Sequence, residues 1–193
     1  LQNTALPVWM RERGLQNVGS STTVEADANG KNHAFKHGFA YIAGINKILP
    51  LPIKGILLYQ GESNAQEKDR VEEYRQLSAL MVNDYRTKWD KPDLPFYFVQ
   101  LSSIDSTNYK SQLWPWFRDE QRRLFQQLPN SGMAVCSDIG AKHDVHPTNK
   151  KAVGERLARW ALYKTYAVDT VPSGPLPRIA IPEKGKLVIE FLY

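Results

Sequence analysis

From Lys54 onward the chain alternates short apolar runs with long amphipathic ones, and no other feature restricts its possible folds as much. A strand buried on both faces reads as a continuous apolar run, whereas a helix lying on a sheet shows one apolar stripe repeating every three to four residues. Residues 53–59 read as such a strand. Val71, Tyr74, Leu77, Leu80, Met81, Val82 and Tyr85 then predict a long helix over residues 70–89. The prolines of 91–95 break it, and residues 96–101, rich in aromatic and β-branched side chains, predict a second strand. After a polar loop over 102–110, residues 113–128 predict a helix with a proline in its first turn, stopped by Pro129 and Asn130. Residues 132–137 predict a third strand. Val153, Leu157, Trp160, Ala161 and Tyr163 place a third amphipathic helix over 149–166. A β-α-β-α-β-α order closes into a parallel sheet whose functional loops follow the carboxyl ends of the strands. The segments after Tyr59, Leu101 and Asp138 are therefore expected to converge.

Outside this unit the pattern is weaker. Residues 1–35 carry a Gly, Ser and Thr-rich turn at 19–23, and a helix is expected near 36–49. Beyond Tyr166, Pro172, Pro175, Pro177 and Pro182 punctuate an extended linker that leads into a β-type run at 186–191. An isolated strand exposes unpaired backbone, so this run is expected to begin or join a β-rich region. The domain reading is thus a catalytic-type domain over 1–168 and a linker with a β-run over 169–193.

Composition removes several classes. The 193 residues, 42% hydrophobic and 23% charged, suffice for one substantial core. The longest apolar runs, near 55–59 and 132–136, reach only about five residues, against the ~20 of a membrane-spanning helix. The net charge of +5 comes from Lys and Arg interspersed with Asp and Glu, which argues against a nucleic-acid partner. The single Cys136 lies in an apolar run, reads as a buried thiol and allows no disulfide within the chain. The first ten residues lack the basic start, apolar run and cleavage site of a secretory signal, and the chain does not start with Met. Both features are expected of a chain whose natural beginning lies elsewhere.

Two polar clusters stand where an α/β enzyme keeps its chemistry. Gln60, Gly61, Glu62, Ser63 and Asn64 directly follow the first strand. The amides of Gln60 and Asn64 can donate to a developing oxyanion, and Gly61 permits close backbone approach; a plain turn with Asn64 capping the next helix is the competing reading. Asp138, His143, Asp144 and His146 lie between the third strand and the third helix. A histidine beside a carboxylate suits general-base work, although a surface histidine near a helix start is the commoner case. His33 and His37 have the i, i+4 spacing of a metal pair, but Ala34 stands where zinc proteases carry Glu, so no metal and no cofactor is expected. Trp114 and Trp116 are expected in the core.

Together the two blocks resemble the SGNH-hydrolase superfamily, and within it the sialate O-acetylesterases and related carbohydrate acetylesterases. Residues 54–65, KGILLYQGESNA, are similar to that family's "KG-apolar-YQGESNA" block. Residues 144–150, DVHPTNK, followed by VGERLA at 153–158, are similar to its "D-x-H-P-x-N-K … G-x-R-L-A" block. The resemblance implies a three-layer, flavodoxin-like parallel sheet flanked by helices, here partial, with a C-terminal β-run. It implies an O-acetylated sugar substrate, a serine nucleophile, His146 as base, and oxyanion donors from Gln60 or Asn64, with the Gly19 or Ser20 amide as a further donor. It also suggests a periplasmic or secreted setting. Two departures stand out. The family's G-[DQ]-S-N nucleophile block occurs nowhere in the 193 residues, so the serine is expected from an upstream segment or a companion chain, with Ser20, Ser21 and Ser63 as weaker local candidates. The superfamily's acid stands three residues before the histidine, where this chain has His143; Asp144 is the first candidate for the orienting carboxylate and Asp138 the second. An acetylxylan-type esterase and an inactive carbohydrate-binding relative are the alternative functions.

Overall fold

The computed structural model describes residues 41–105 and 111–192. Its centre is a parallel sheet of three strands in the order β1 (Ile56–Leu58), β2 (Phe96–Val99), β3 (Ser131–Ala134). Ile56 pairs with Phe96, and Phe96 in turn with Ser131. The connections are α1 (Lys68–Lys88) and α2 (Trp114–Gln127), and α3 (Lys150–Lys164) follows β3. The β-α-β-α-β-α order and the mixed α/β architecture are those expected from periodicity. The strands are shorter than their apolar runs, because Tyr59, Leu101, Val135 and Cys136 have left the ladder to enter the loops at its carboxyl end.

The central strand shows why the sheet needs helices on both faces. All four residues of β2 are buried, and successive side chains point to opposite faces. Phe96 and Phe98 join Val71, Tyr74, Met81, Phe117 and Leu124 from α1 and α2. Tyr97 and Val99 join Val153, Leu157 and Trp160 from α3. The Tyr74 and Phe117 rings, 4.4 Å apart, lock α1 against α2. Trp114 is buried and Trp116 packs partly buried against the same cluster, as expected.

At the amino end of the sheet, the buried Arg86 ties the turns together, donating from Nε to the Leu94 carbonyl at 3.1 Å and from Nη2 to the Pro129 carbonyl at 2.7 Å. On the opposite face Trp160 is 1% exposed and donates from Nε1 to the Met133 carbonyl at 2.9 Å. A Cβ on Gly132 would lie 2.6 Å from the Trp160 ring, so only glycine leaves room for the indole there. Trp160→Phe keeps an aromatic ring but strands that carbonyl. It is expected to cost about 1–3 kcal/mol, read as a fall in denaturation midpoint at unchanged slope.

The C-terminal segment departs from expectation. Part of the stretch read as an extended linker is itself a strand, β4 (Leu176–Glu183), which pairs antiparallel with β5 (Lys186–Leu192). The β-run is therefore paired by its own chain neighbour. Lys184 and Gly185, both at positive φ (45° and 76°), make the two-residue turn that suits the right-handed twist of a hairpin. A register irregularity between Pro177 and Ile179 accommodates the proline, which has no N–H to give the ladder. Of the helix expected near 36–49, Tyr41–Ile45 is a π-helical turn running into the short α-helix Asn46–Ile48, and the earlier residues lie outside the described ones.

Candidate active site

Parallel strands bring their following loops to one rim, and each loop here is held by identifiable side chains. After β1 the chain turns at Gly61, whose φ of +150° is a conformation that favours glycine. A Cβ there would stand 2.5 Å from the Phe117 ring of α2, so glycine also seats the turn against that helix. The amides of Asn64 and Ala65 bond back to the Gly61 carbonyl at 2.9 and 3.0 Å, forming the single 3₁₀ turn Asn64–Gln66. Gln60 Nε2 donates to Asn64 Oδ1 at 2.8 Å. That bond fixes the two amide groups relative to each other and leaves the Asn64 NH₂ as a donor. Gln60 Oε1 is buried with no hydrogen-bond partner among the described residues. Ser63 is exposed at the turn's tip, its carbonyl accepting a long 3.5 Å bond from Arg70.

The loop after β2 is fastened to α2. The buried Gln121 accepts from the Leu101 amide at 2.9 Å and donates to the Val99 carbonyl at 3.1 Å. Gln100 Nε2 donates to the Arg118 carbonyl, and Trp114 Nε1 to that of Ser102. Burial lowers the Arg118 pKa from its usual range, and its Nε finds no partner among the described residues. Sequence reading missed Gln121. A wholly buried glutamine inside an amphipathic helix is a recognisable signal only once burial is known.

After β3 come the buried Cys136, the 3₁₀ turn Ser137–Ile139 and Gly140. The Asp105 amide donates to the Lys142 carbonyl at 3.0 Å, joining this loop to the one after β2. Arg156, two turns into α3, grips both oxygens of Asp138 at 2.6 Å and donates from Nη1 to the Val135 carbonyl at 2.6 Å. The guanidinium holds the Asp138 pKa down at about 2. Of the two candidate carboxylates, Asp138 is thus engaged by an arginine. Asp144 is the one in contact with the histidine: its Oδ1 lies 2.9 Å from His146 Nδ1 and accepts from the His146 amide at 2.8 Å. That amide, and next the ring, hold the Asp144 pKa below its ordinary value. A proton on Nδ1 shared with Asp144 leaves Nε2 as the acceptor, the tautomer a general base needs. Val145 packs against the core and Pro147 is buried, so His146, with a side chain 78% exposed, projects from a loop anchored on either side. Asn149 then caps α3 by accepting from the Ala152 amide at 3.1 Å.

The end of β1 and the start of α3 come together at this rim. Lys150, at the start of α3, sits 4.8 Å above the ring of Tyr59, at the end of β1. Burial, with Glu62 and Cys136 adding to it, pushes the Tyr59 phenol up to about 12, so the ring stays neutral under the ammonium. Gln60, Gly61, Glu62 and Asn64 therefore share the carboxyl end of the sheet with the loop of Asp144 and His146. Gly19, Ser20, Ser21, His33 and His37 lie outside the described residues.

Residues 20–163 match the family described as "Carbohydrate esterase, sialic acid-specific acetylesterase". The chain belongs to this carbohydrate esterase family. Its sequence is 26% identical over 191 residues to the sialate O-acetylesterase of Homo sapiens, covering 90% of the chain and 36% of that protein. It is 29% identical over 160 residues to that of Mus musculus, covering 74% of the chain and 29% of the mouse protein. A solved carbohydrate acetylesterase from Xanthomonas citri superposes with a TM-score of 0.72 at 35% identity, over 87% of this chain and 39% of that one. The esterase-family chain thus spans about a third of the length of these relatives, and its parallel sheet is the SGNH-type sheet that the two sequence blocks imply.

Proposed function

We propose that the intact protein hydrolyses O-acetyl esters on carbohydrate, with the 9-O-acetyl group of sialic acid as its substrate and a Ser-His-Asp mechanism. The Asp144–His146 pair, set at the same rim as the amide-bearing turn at 60–64, carries this reading. His146 Nε2 takes the proton of a serine whose Oγ attacks the acetyl carbonyl. Gln60 or Asn64, with backbone amides, holds the oxyanion, and the sugar hydroxyl leaves with the proton from the imidazolium. Water activated by the same imidazole then attacks the acetyl-serine, and acetate departs with the serine restored. The serine belongs to an upstream G-[DQ]-S-N block or a companion chain. The family's description and the names of the mammalian relatives support sialic acid; the broader name of the bacterial structure supports carbohydrate in general.

Acetate release by the intact protein from 9-O-acetylated sialic acid, measured beside release from acetylxylan, tests both levels. Faster release from sialic acid is the expected result. Preference for xylan overturns the substrate, and no release from either overturns the esterase. The second reading is a carbohydrate-binding relative without turnover. In that case acetylated sugars raise the melting temperature while no acetate appears. The hairpin supports the proposed β-rich region at 169–193, because Ile179, Ile181, Leu187, Val188, Ile189 and Phe191 are all exposed along its two strands.

A further inference from the structure

The Arg156–Asp138 pair has the look of an ordinary surface ion pair, since the Asp138 side chain is 61% exposed. Pairs of that exposure contribute little to global stability. Its geometry is not ordinary. Both carboxylate oxygens and the Val135 carbonyl converge on one guanidinium, each at 2.6 Å. A planar fork of fixed donors can do this and an ammonium cannot. The groups it joins also lie on either side of one loop. Val135 and Asp138 mark the exit from β3, while Arg156 lies two turns into α3, the helix that starts at Lys150 where the loop ends. Residues 139–149, with His146 among them, are closed between these points. Within the loop Val145 packs on the core, Pro147 is buried, and the Asp105 amide donates to the Lys142 carbonyl at 3.0 Å. The imidazole is 78% exposed, so little packing on the ring itself determines where it stands. Its position follows from the path of the loop.

We infer that Arg156 is a positioning residue for His146: by clasping Asp138 and the Val135 carbonyl it sets the span between β3 and α3, and so the place of the imidazole at the rim. This rests on the reading of His146 as general base. It assigns Asp138 to Arg156 and leaves Asp144 to orient the ring.

The arrangement separates activity from stability. Arg156→Ala in the intact protein is expected to lower kcat for p-nitrophenyl acetate about 10- to 100-fold, with KM within about twofold, because a base displaced by roughly 1 Å loses rate and not substrate affinity. The melting temperature is expected to move by only about 2 °C. Arg156→Lys recovers part of the rate. Asp138→Ala reproduces the loss, and the double variant is no worse than either single one, because both remove the same contact. Hydrogen exchange supplies a readout independent of turnover: amides of 139–149 exchange about tenfold faster in Arg156→Ala, while those of α1 and α2 do not change. Should Arg156→Ala not fold, Asp138→Asn keeps the Val135 bond and the side-chain shape and is expected to show the same loop exchange. Wild-type kcat with wild-type loop exchange in the folded variants overturns the assignment, as do losses that multiply in the double variant. If the intact protein hydrolyses no ester, the esterase reading fails by itself, and unchanged or accelerated exchange still decides the clasp.

Discussion

Replacing His146 with alanine in the intact protein is expected to lower p-nitrophenyl acetate turnover by about 10³- to 10⁴-fold, at an unchanged melting temperature. The size follows from the role. A general base within reach of a hydroxyl contributes about 10²- to 10⁴-fold, and a serine hydroxyl is a poor nucleophile without one. The unchanged stability follows from exposure, since the His146 side chain is 78% exposed. Asp144→Asn should fall between the variant and the wild type, because the amide can still accept from the His146 backbone while no longer stabilising an imidazolium. Initial rates at fixed enzyme concentration decide the matter. Turnover within tenfold of wild type in His146→Ala would remove this residue from the chemistry and leave the rim without a base from the block that led to it.

Gly140→Ala is expected to lower turnover about 100-fold, for a reason of space. The backbone at Gly140 is ordinary, with φ −67° and ψ 165°, so no strain in dihedral angle is at issue. A Cβ would, however, lie 1.9 Å from the Ser103 carbonyl oxygen and 2.8 Å from the Ser103 backbone N and C. None of these backbone atoms can rotate away as a side-chain tip could, so the loops after β2 and β3 must part by more than about 1 Å. Displacement of that size costs about 100-fold in rate when it separates reacting groups. It should also open the Asp105–Lys142 bond, seen as faster exchange of the Asp105 amide. Gly154→Ala is the matched control. Nothing lies within 4 Å of a Cβ at that helical position, and alanine there should raise the melting temperature without touching the rate. Wild-type turnover in Gly140→Ala would show that the contact between the two loops does not set the site.

Much of this was legible in the linear sequence because burial leaves a local trace. An apolar run flanked by turn residues states that a strand is covered on both faces, and β2 is, whereas β1, read the same way, is the edge strand and leaves Leu57 61% exposed among the described residues. Val71, Tyr74, Leu77, Met81, Val82 and Tyr85 state which face of α1 is buried, whereas Leu80, read into the same stripe, is 40% exposed. Residues 60–64 and 144–149 could be placed at one rim because parallel topology leaves no other place for loops that follow strands. The contact of Asp144 with His146 spans two residues, a distance over which the backbone itself brings groups together.

Tertiary structure decided what depends on partners far apart in the chain. The sequence ranked Asp144 ahead of Asp138 as the carboxylate for the histidine; that Asp138 is engaged elsewhere depends on Arg156, 18 residues beyond it, whose position on α3 aims it back at the end of β3. Gln121 reads as a polar interruption of a helix until it is seen bridging the Val99 carbonyl and the Leu101 amide, more than 20 residues away in one case and 20 in the other. The segment 176–183 looks like a proline-broken linker because Pro177 and Pro182 weaken any strand signal, yet its ladder with β5 forms on the bonds that the prolines leave intact. Local sequence encodes which surfaces must be covered. Which group covers or clasps which is settled only when the sheet brings distant residues within hydrogen-bond reach, because a bond of under 3 Å depends on the whole path of the chain between its two ends.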